Sequence, residues 1–140
     1  MSKQKGTRGE KKVVDWFVKN GWFAQRTGGS GAGTNDDRSD VIAMRPNRFG
    51  RSDVAVIEVK ARDDGTVRFH KDEIEQLKGV ANSSGGLALF VTKPDLRSHD
   101  HMYAFYADEL KENQVSYSIT KGMLGSEHSL GRKLEMYFDS

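Results

Sequence analysis

The chain has 140 residues, of which 36% are hydrophobic and 30% are charged, a composition typical of one polar but ordered globular domain. It contains no cysteine, which excludes disulfide bonds and thiolate metal sites. No apolar run approaches membrane-spanning length and no apolar signal segment follows the first residues, so we expect a cytoplasmic protein (in the host cytoplasm if viral) without a membrane partner.

The charge is unevenly distributed, although the net charge is only +2. Residues 1–62 contain 13 Lys or Arg against 7 Asp or Glu, whereas residues 63–140 contain 9 against 13. A basic half suits a polyanionic partner. An ordinary solvated charge pattern is the alternative, and charge by itself leaves both open.

The first predicted element is a helix from Gly6 to Asn20. Thr7 and Glu10 have the spacing of a capping box, in which Glu10 would serve only the helix N-terminus. An apolar stripe at helical spacing follows and comprises Val13, Val14, Phe17 and Val18. We expect three aromatic residues to pack in the core or an interface rather than to stack on bases: Trp16, Trp22 and Phe23.

Three strands are predicted next, over residues 22–27, 40–44 and 54–60. The glycine-rich segment 28–33 separates the first two. No Gly-Lys-Ser/Thr follows it, so it is not a phosphate-binding Walker loop and is expected to be a mobile segment that exposes its backbone. A turn over residues 45–50, rich in arginine and containing proline and glycine, separates the last two.

The second half is predicted to contain an extended segment over 66–69, a helix over 71–84 ended by Gly85-Gly86, and strands over 87–92 and 101–106. The helix core face comprises Ile74, Leu77, Val80 and Ala81, whereas Gln76 is expected to be exposed. Residues 115–120 favour a strand, and residues 130–138 fit either a strand or a short helix. His99 and His101 are interpreted as a solvated loop rather than a metal site.

This order of elements predicts an α/β fold with a central mixed sheet flanked by helices. We find no internal repeat and no linker, so residues 1–140 are predicted to form one domain. Its core is expected over about residues 5–110, and residues 111–140 are expected to form a C-terminal extension.

Ionisable residues terminate two of the predicted strands. Asp40 opens one strand, and Glu58 and Lys60 end the next and project to the same side, because strands alternate with period two. Burying charged groups at the end of an apolar strand costs free energy unless a partner charge, a metal ion or a catalytic role requires them there. Two carboxylates that converge offer the oxygen ligands that Mg²⁺ prefers. The pattern predicts a metal-dependent phosphodiesterase, and a set of mere salt bridges from these acids to Lys60 or Arg62 is the alternative.

The chain resembles the archaeal-type Holliday junction resolvases of the PD-(D/E)XK nuclease superfamily. The resemblance spans roughly residues 5–92, and the helix over 71–84 with Gly85-Gly86 belongs to it. Its motifs are Lys5-Gly6-Thr7-Arg8-Gly9-Glu10, Gly29-Ser30-Gly31-Ala32-Gly33, Ser39-Asp40-Val41-Ile42-Ala43 and Ile57-Glu58-Val59-Lys60. It implies a restriction-endonuclease-like fold and a two-fold homodimer that resolves four-way junctions in DNA by paired symmetric cuts.

The resemblance also implies roles for individual residues. The catalytic set would be Glu10, Ser30, Asp40, Glu58 and Lys60. A Mg²⁺ ion, with Mn²⁺ as a possible substitute, would be held by Asp40, Glu58, the backbone carbonyl of Val59 and, directly or through its water, Glu10. Contacts to DNA would come from Lys5, Arg8, Ser30, Arg38 and Arg62. Ser30 as a plain polar turn residue is equally compatible with the sequence.

One departure from the family pattern concerns the segment before Asp40. It is usually basic in the family but contains Asp36 and Asp37 here, and two acids beside a DNA-facing loop weaken phosphate binding. Two alternative functions follow. One is a PD-(D/E)XK DNase of another specificity (repair, restriction or phage type), and the other is a non-catalytic DNA-binding module, which the intact set of Asp40, Glu58 and Lys60 disfavours.

Overall fold

The computed structural model describes residues 2–27, 39–61, 66–93 and 102–138, with side chains from Arg8 onward. No helix within these ranges combines the length and the apolar composition needed to cross a membrane. The helices are α1 (Ser2–Lys19), α2 (Lys71–Ser84) and α3 (Leu130–Phe138). The strands are β1 (Phe23–Arg26), β2 (Val41–Pro46), β3 (Ser52–Lys60), β4 (Val67–His70), β5 (Leu87–Thr92), β6 (Tyr103–Phe105), β7 (Lys111–Glu112) and β8 (Ser116–Ile119).

The strands form two sheets. The central sheet has five strands in the order β1-β2-β3-β5-β6, in which only β3 and β5 are parallel. Helix α2 lies in the connection between β3 and β5, as a parallel pair requires. A smaller antiparallel sheet has the order β4-β8-β7. The predicted α/β class with a mixed central sheet flanked by helices is confirmed, whereas the small second sheet was not predicted.

Apolar residues on the two faces of the central sheet form two separate cores. On one face, α1 and α3 cover β3 and β5 through residues such as Val13, Phe17, Ile57, Val91 and Leu134. On the other face, α2 and the small sheet pack through residues such as Val56, Phe69, Leu77, Phe90 and Ile119. Because successive residues of β3 point to opposite faces, Val56 and Ile57 belong to different cores.

The bounds of α2 and β5 are those predicted, and Gly85 ends α2 at φ 71°, where a residue without Cβ is favoured. Three other expectations are corrected. Helix α1 begins at Ser2, so Thr7 lies inside it and is not its N-cap. Val18 is 54% exposed and does not contribute to the core. Phe23 is 55% exposed and lies outside the core, so its packing in an interface stays a prediction. Strand β2 extends to Pro46, two residues into the predicted turn.

The last thirty residues contribute to both cores, because Ile119 packs beneath α2, whereas Leu130 and Leu134 pack beneath α1. Residues 130–138, which the sequence left undecided, form a helix. Lys133 of α3 is 3% exposed and binds Glu109 at 2.6 and 2.7 Å. The proposed division into a core over about 5–110 and an extension over about 111–140 stays a prediction.

Candidate active site

Asp40 lies where β2 begins, beside the end of β3. Its backbone N–H donates to the carbonyl of Ile57 at 2.9 Å, and its Oδ2 accepts the N–H of Val59 at 2.8 Å. The antiparallel register pairs Val41 with Ile57, which places Asp40 next to Glu58 and Val59. The pairing of β2 with β3, two consecutive strands joined by a hairpin, thus brings the predicted carboxylates together.

Glu58 and Lys60 are half-buried on the face of β3 that α2 covers, whereas Ile57 and Val59 point to the opposite core. The Lys60 Nζ donates to Glu73 Oε2 at 3.0 Å and lies 5.7 Å from the centre of the Phe69 ring. The second oxygen of Glu73 accepts the N–H of His70 at 2.9 Å. Helix α2 therefore supplies a fixed carboxylate that holds the lysine in place.

Glu10 approaches from α1, which covers the other face of the sheet. Its Oε1 accepts the Arg26 Nε–H at 3.0 Å, with the glutamate side chain 20% exposed. The helix comes close to β3 at Gly9, where an added Cβ would lie 3.1 Å from Ala61 Cβ and 3.5 Å from Val59 Cγ1. The glycine allows the close packing that brings Glu10 to the ends of the strands.

The carboxyl groups of the site lie close together and are partly shielded from solvent, and both conditions raise their pKa values. Burial, followed by repulsion from Asp40 and Glu73, raises the pKa of Glu58 to about 8. Burial also raises the pKa of Asp40 to about 6, against the opposing hydrogen bond from Val59 N–H. Glu10 adds repulsion to both groups. Excess negative charge at such a point is what a bound divalent cation would balance.

The donor set fits a hard cation that keeps part of its water shell. Asp40 and Glu58 supply carboxylate oxygens at adjacent positions, which suits Mg²⁺ because that ion commonly binds one or two carboxylates, several waters and a substrate phosphate. In the part of the chain that the structure describes, no three Asp, Glu or His side chains are placed to surround one ion.

The structure brings together four of the predicted site residues, Asp40, Glu58, Val59 and Lys60, with Glu10 near enough to affect both raised pKa values. Arg8 lies exposed on α1, one residue before the Gly9 contact. The other predictions lie outside the described residues or side chains: Lys5, Ser30, Asp36, Asp37, Arg38, Arg62, His99, His101 and the segment 28–33.

Sequence reasoning missed two residues that touch this set, Glu73 and Arg26. Glu73 occupies the third position of α2, three residues after the N-cap His70, and a glutamate at that position is a capping signal that the sequence alone could have indicated. Its ion pair with Lys60 could not be predicted from the sequence, because it depends on how α2 packs on β3. Gln76, which we expected to be exposed, is half-buried on the same helix.

A family model described as archaeal Holliday junction resolvase (hjc) matches residues 1–136. The chain belongs to the archaeal Holliday junction resolvase family. Among solved structures, the Holliday junction resolvase Hjc of the hyperthermophile Archaeoglobus fulgidus is similar, with a TM-score of 0.70 and 28% sequence identity over 85% of this chain and 91% of that chain. A search of curated protein sequences finds no significant match.

Membership of the resolvase family confirms the resemblance read from the four sequence motifs, together with the nuclease fold. The chain is a junction-resolving nuclease, a DNA-binding protein of recombination and repair whose substrate is branched DNA. Resolvase nucleases are usually metal-dependent, which agrees with the carboxylates at the end of β3.

Proposed function

We propose that this resolvase is a Mg²⁺-dependent crossover junction endonuclease that cuts two opposing strands of a four-way junction symmetrically. The observation that supports the proposal most directly is the convergence of Asp40, Glu58 and Lys60, fixed by the 2.8 Å hydrogen bond from Val59 N–H to Asp40. A cytoplasmic location stays a prediction.

Asp40, Glu58 and the carbonyl of Val59 would hold the Mg²⁺, or Mn²⁺ in its place. When bound, the ion lowers the pKa of a coordinated water and offsets charge on the scissile phosphate. Burial and the neighbouring carboxylates raise the pKa of Glu58, so a proton on this carboxyl group would compete with the ion for the site. Glu10 would position a ligand water or a further cation.

Lys60 orients the attacking water or stabilises negative charge that develops on the phosphate. An ammonium held at 3.0 Å by Glu73 is already ordered before the substrate arrives, so less freedom is lost in the reaction. Among the DNA contacts that we propose, Ser30 would touch the strand that is cut. Phosphate contacts would come from Lys5, Arg8, Arg38 and Arg62, and Asp36 and Asp37 would weaken them.

Paired cuts on opposing strands need two active sites, and we propose that a two-fold homodimer supplies them, since closed two-fold dimers are the commonest soluble assembly. Mixed dimers test this. Protein that pairs one wild-type subunit with one Glu58→Gln subunit is expected to nick one strand and to leave the opposing strand intact. Full resolution by such mixed dimers would contradict the paired-site account.

Cleavage of a labelled four-way junction, beside linear duplex of equal length, tests the function. The assay is run with Mg²⁺ and with EDTA for the wild type, Glu58→Gln and the control Glu75→Gln. Glu75 lies on α2, and its side chain is 75% exposed, so the control removes a carboxylate outside the site. We expect symmetric cuts on the junction with Mg²⁺, retained in the control and lost in Glu58→Gln and in EDTA.

Three other results of this assay would contradict part or all of the proposal. Equal cutting of junction and duplex would leave a nuclease of another specificity within the superfamily. Binding without cleavage under Mg²⁺ or Mn²⁺ would leave a DNA-binding module. Undiminished cleavage by Glu58→Gln would overturn the assignment of the active site.

A further inference from the structure

The connection between β2 and β3 presents an aromatic ring and two arginines to solvent. We name residues 48–51 the hairpin tip. Phe49 is 68% exposed, and the Arg48 guanidinium lies 5.2 Å from the centre of its ring. Arg51 is exposed as well. Segment 45–51 contains three arginines and no acidic residue, so the tip combines positive charge with a flat apolar surface.

The hairpin tip is held in one shape by Asn47. The Asn47 Oδ1 accepts the N–H of Phe49 at 2.9 Å and that of Arg51 at 3.1 Å. Two backbone hydrogen bonds, Asn47 N–H to Arg51 O and Gly50 N–H to Asn47 O, close the turn. Gly50 has φ +77°, which a residue without Cβ adopts without strain. The ring is therefore displayed by an ordered turn.

The third arginine of the segment has a different role. The Arg45 Nε donates to Asp53 Oδ2 at 3.3 Å, and its guanidinium lies 4.4 Å from the Trp22 ring. Asp53 also accepts from the Asn47 side chain at 3.0 Å. These contacts fasten the base of the hairpin to the sheet. Arg48 and Arg51, by contrast, are exposed.

The hairpin tip and the candidate active site lie at opposite ends of the same two strands. Asp40 precedes β2 and Lys60 ends β3, whereas the tip joins their other ends. At about 3.3 Å per residue, the six residues of β2 separate the two by about 20 Å. That distance equals the rise of about six base pairs, so the tip and the active site can contact one DNA molecule at separate places.

We propose that the hairpin tip is a second DNA-binding element, in which Arg48 and Arg51 contact phosphates and Phe49 stacks on a base exposed at the branch point. Aromatic rings beside cationic side chains form the usual platform for unstacked bases. The two exposed arginines favour DNA over a second copy of this chain, because that copy would carry the same positive charge at its own tip. The inference rests on the proposed function for its ligand, branched DNA.

The test measures binding by fluorescence anisotropy in EDTA, with Glu58→Gln present in every protein so that nothing is cut. The variants are Phe49→Ala, Phe49→Leu, Phe49→Trp and the double variant Arg48→Ala/Arg51→Ala. Val115→Ala is the apolar control, since Val115 is 77% exposed in the connection between β7 and β8. Lys111→Ala/Lys121→Ala, two exposed lysines, is the charge control.

We expect Phe49→Ala and Phe49→Leu to weaken junction binding about fivefold or more, with Phe49→Trp restoring it. Duplex binding should change less than twofold, because a duplex offers no unstacked base. The double arginine variant should weaken binding to both DNAs and lower the slope of log K against log salt by about 1.8. The two controls should leave both affinities within twofold.

Several outcomes would overturn the inference. One is a junction affinity of the tip variants equal to that of their controls. Another is a Phe49→Leu variant that binds the junction as tightly as the parent protein. A change in oligomeric state with Phe49→Ala, seen by analytical ultracentrifugation, would assign the tip to protein contact instead. Failure of the parent protein to bind the junction would remove the proposed function as well, so the two failures are distinguishable.

Discussion

The Nζ of Lys60 lies 3.0 Å from Oε2 of Glu73, which joins the end of β3 to the first turn of α2. Both carboxylate oxygens of Glu73 are engaged, since the other accepts the N–H of His70. The lysine side chain is 32% exposed and therefore open to solvent and substrate. A carboxylate from a structural helix thus orients the residue that we assign to catalysis.

Glu73→Ala is expected to lower the single-turnover cleavage rate by about 10- to 100-fold, as is typical when a group that orients a site residue is removed. Junction affinity should stay within threefold, because Lys60 keeps its charge. Glu73→Gln should recover much of the rate, since its amide oxygen still accepts a hydrogen bond. Glu75→Ala is the control on the same helix. A rate unchanged in Glu73→Ala would disprove the positioning role.

The raised pKa values of Asp40 and Glu58 predict a metal-free protein that loses stability as pH rises. In the unfolded chain these groups titrate near 3.8 and 4.5, but near 6 and 8 in the folded protein. Between these values the folded state binds more protons, so the free energy of unfolding falls from about pH 4 to pH 8. Each pKa unit corresponds to about 1.4 kcal/mol.

Urea denaturation in EDTA at pH 5 and pH 8 measures this dependence. Glu58→Gln should reduce the difference in the free energy of unfolding between the two pH values by about 2 kcal/mol or more. Glu75→Gln should leave the difference unchanged, because its side chain is exposed. A dependence equally steep in Glu58→Gln and in the parent would contradict the assignment.

Gly9 is predicted to be required for the close approach of α1 to β3. Gly9→Val should lower the free energy of unfolding by about 1–3 kcal/mol, because the added side chain has no room beside Ala61 and Val59. Cleavage should fall as well, since Glu10 is displaced with the helix. Gly122→Ala provides the control, because nothing lies within 4 Å of a Cβ added there. Chemical denaturation and single-turnover cleavage measure the two effects.

The ion pair between buried Lys133 and half-buried Glu109 has the opposite dependence on pH. Burial raises the pKa of Glu109, but hydrogen bonds from Lys133 and from Tyr106 N–H outweigh it and lower the pKa below its usual value. The stabilisation is therefore present above the unfolded pKa and is lost as pH falls through the folded one. Lys133→Ala should lower the free energy of unfolding by about 1–2 kcal/mol at pH 7, because the Glu109 carboxylate left behind is partly open to solvent.

The cost of Lys133→Ala should be smaller in acidic solution, because a lower pH favours protonation of Glu109 and the protonated acid no longer needs its partner. Thermal or urea unfolding at pH 7 and pH 3 measures it. Lys111→Ala, at an exposed position, serves as the matched control. A loss of the same size at both pH values would assign the effect to packing of the Lys133 side chain rather than to its charge.

Local patterns in the sequence predicted several elements well. The apolar spacing of Ile74, Leu77 and Ala81, followed by Gly85, determines α2, and the continuous apolar run from Leu87 determines β5. The start of α1 was missed because Thr7 and Glu10 imitate a capping box inside a longer helix. A capping box is a local signal, so it does not show whether the helix begins there or several residues earlier, as α1 does at Ser2.

Sequence by itself determined which residue types stand at the ends of β2 and β3, and hence the expected chemistry, because strand periodicity places Glu58 and Lys60 on one side. It also determined the family, through motifs in a fixed order. Only the tertiary structure decided that α2 would bring Glu73 to Lys60 and that Gly9 would admit Glu10. These relationships depend on how helices dock across the sheet, and burial at that junction raises the pKa values of Asp40 and Glu58.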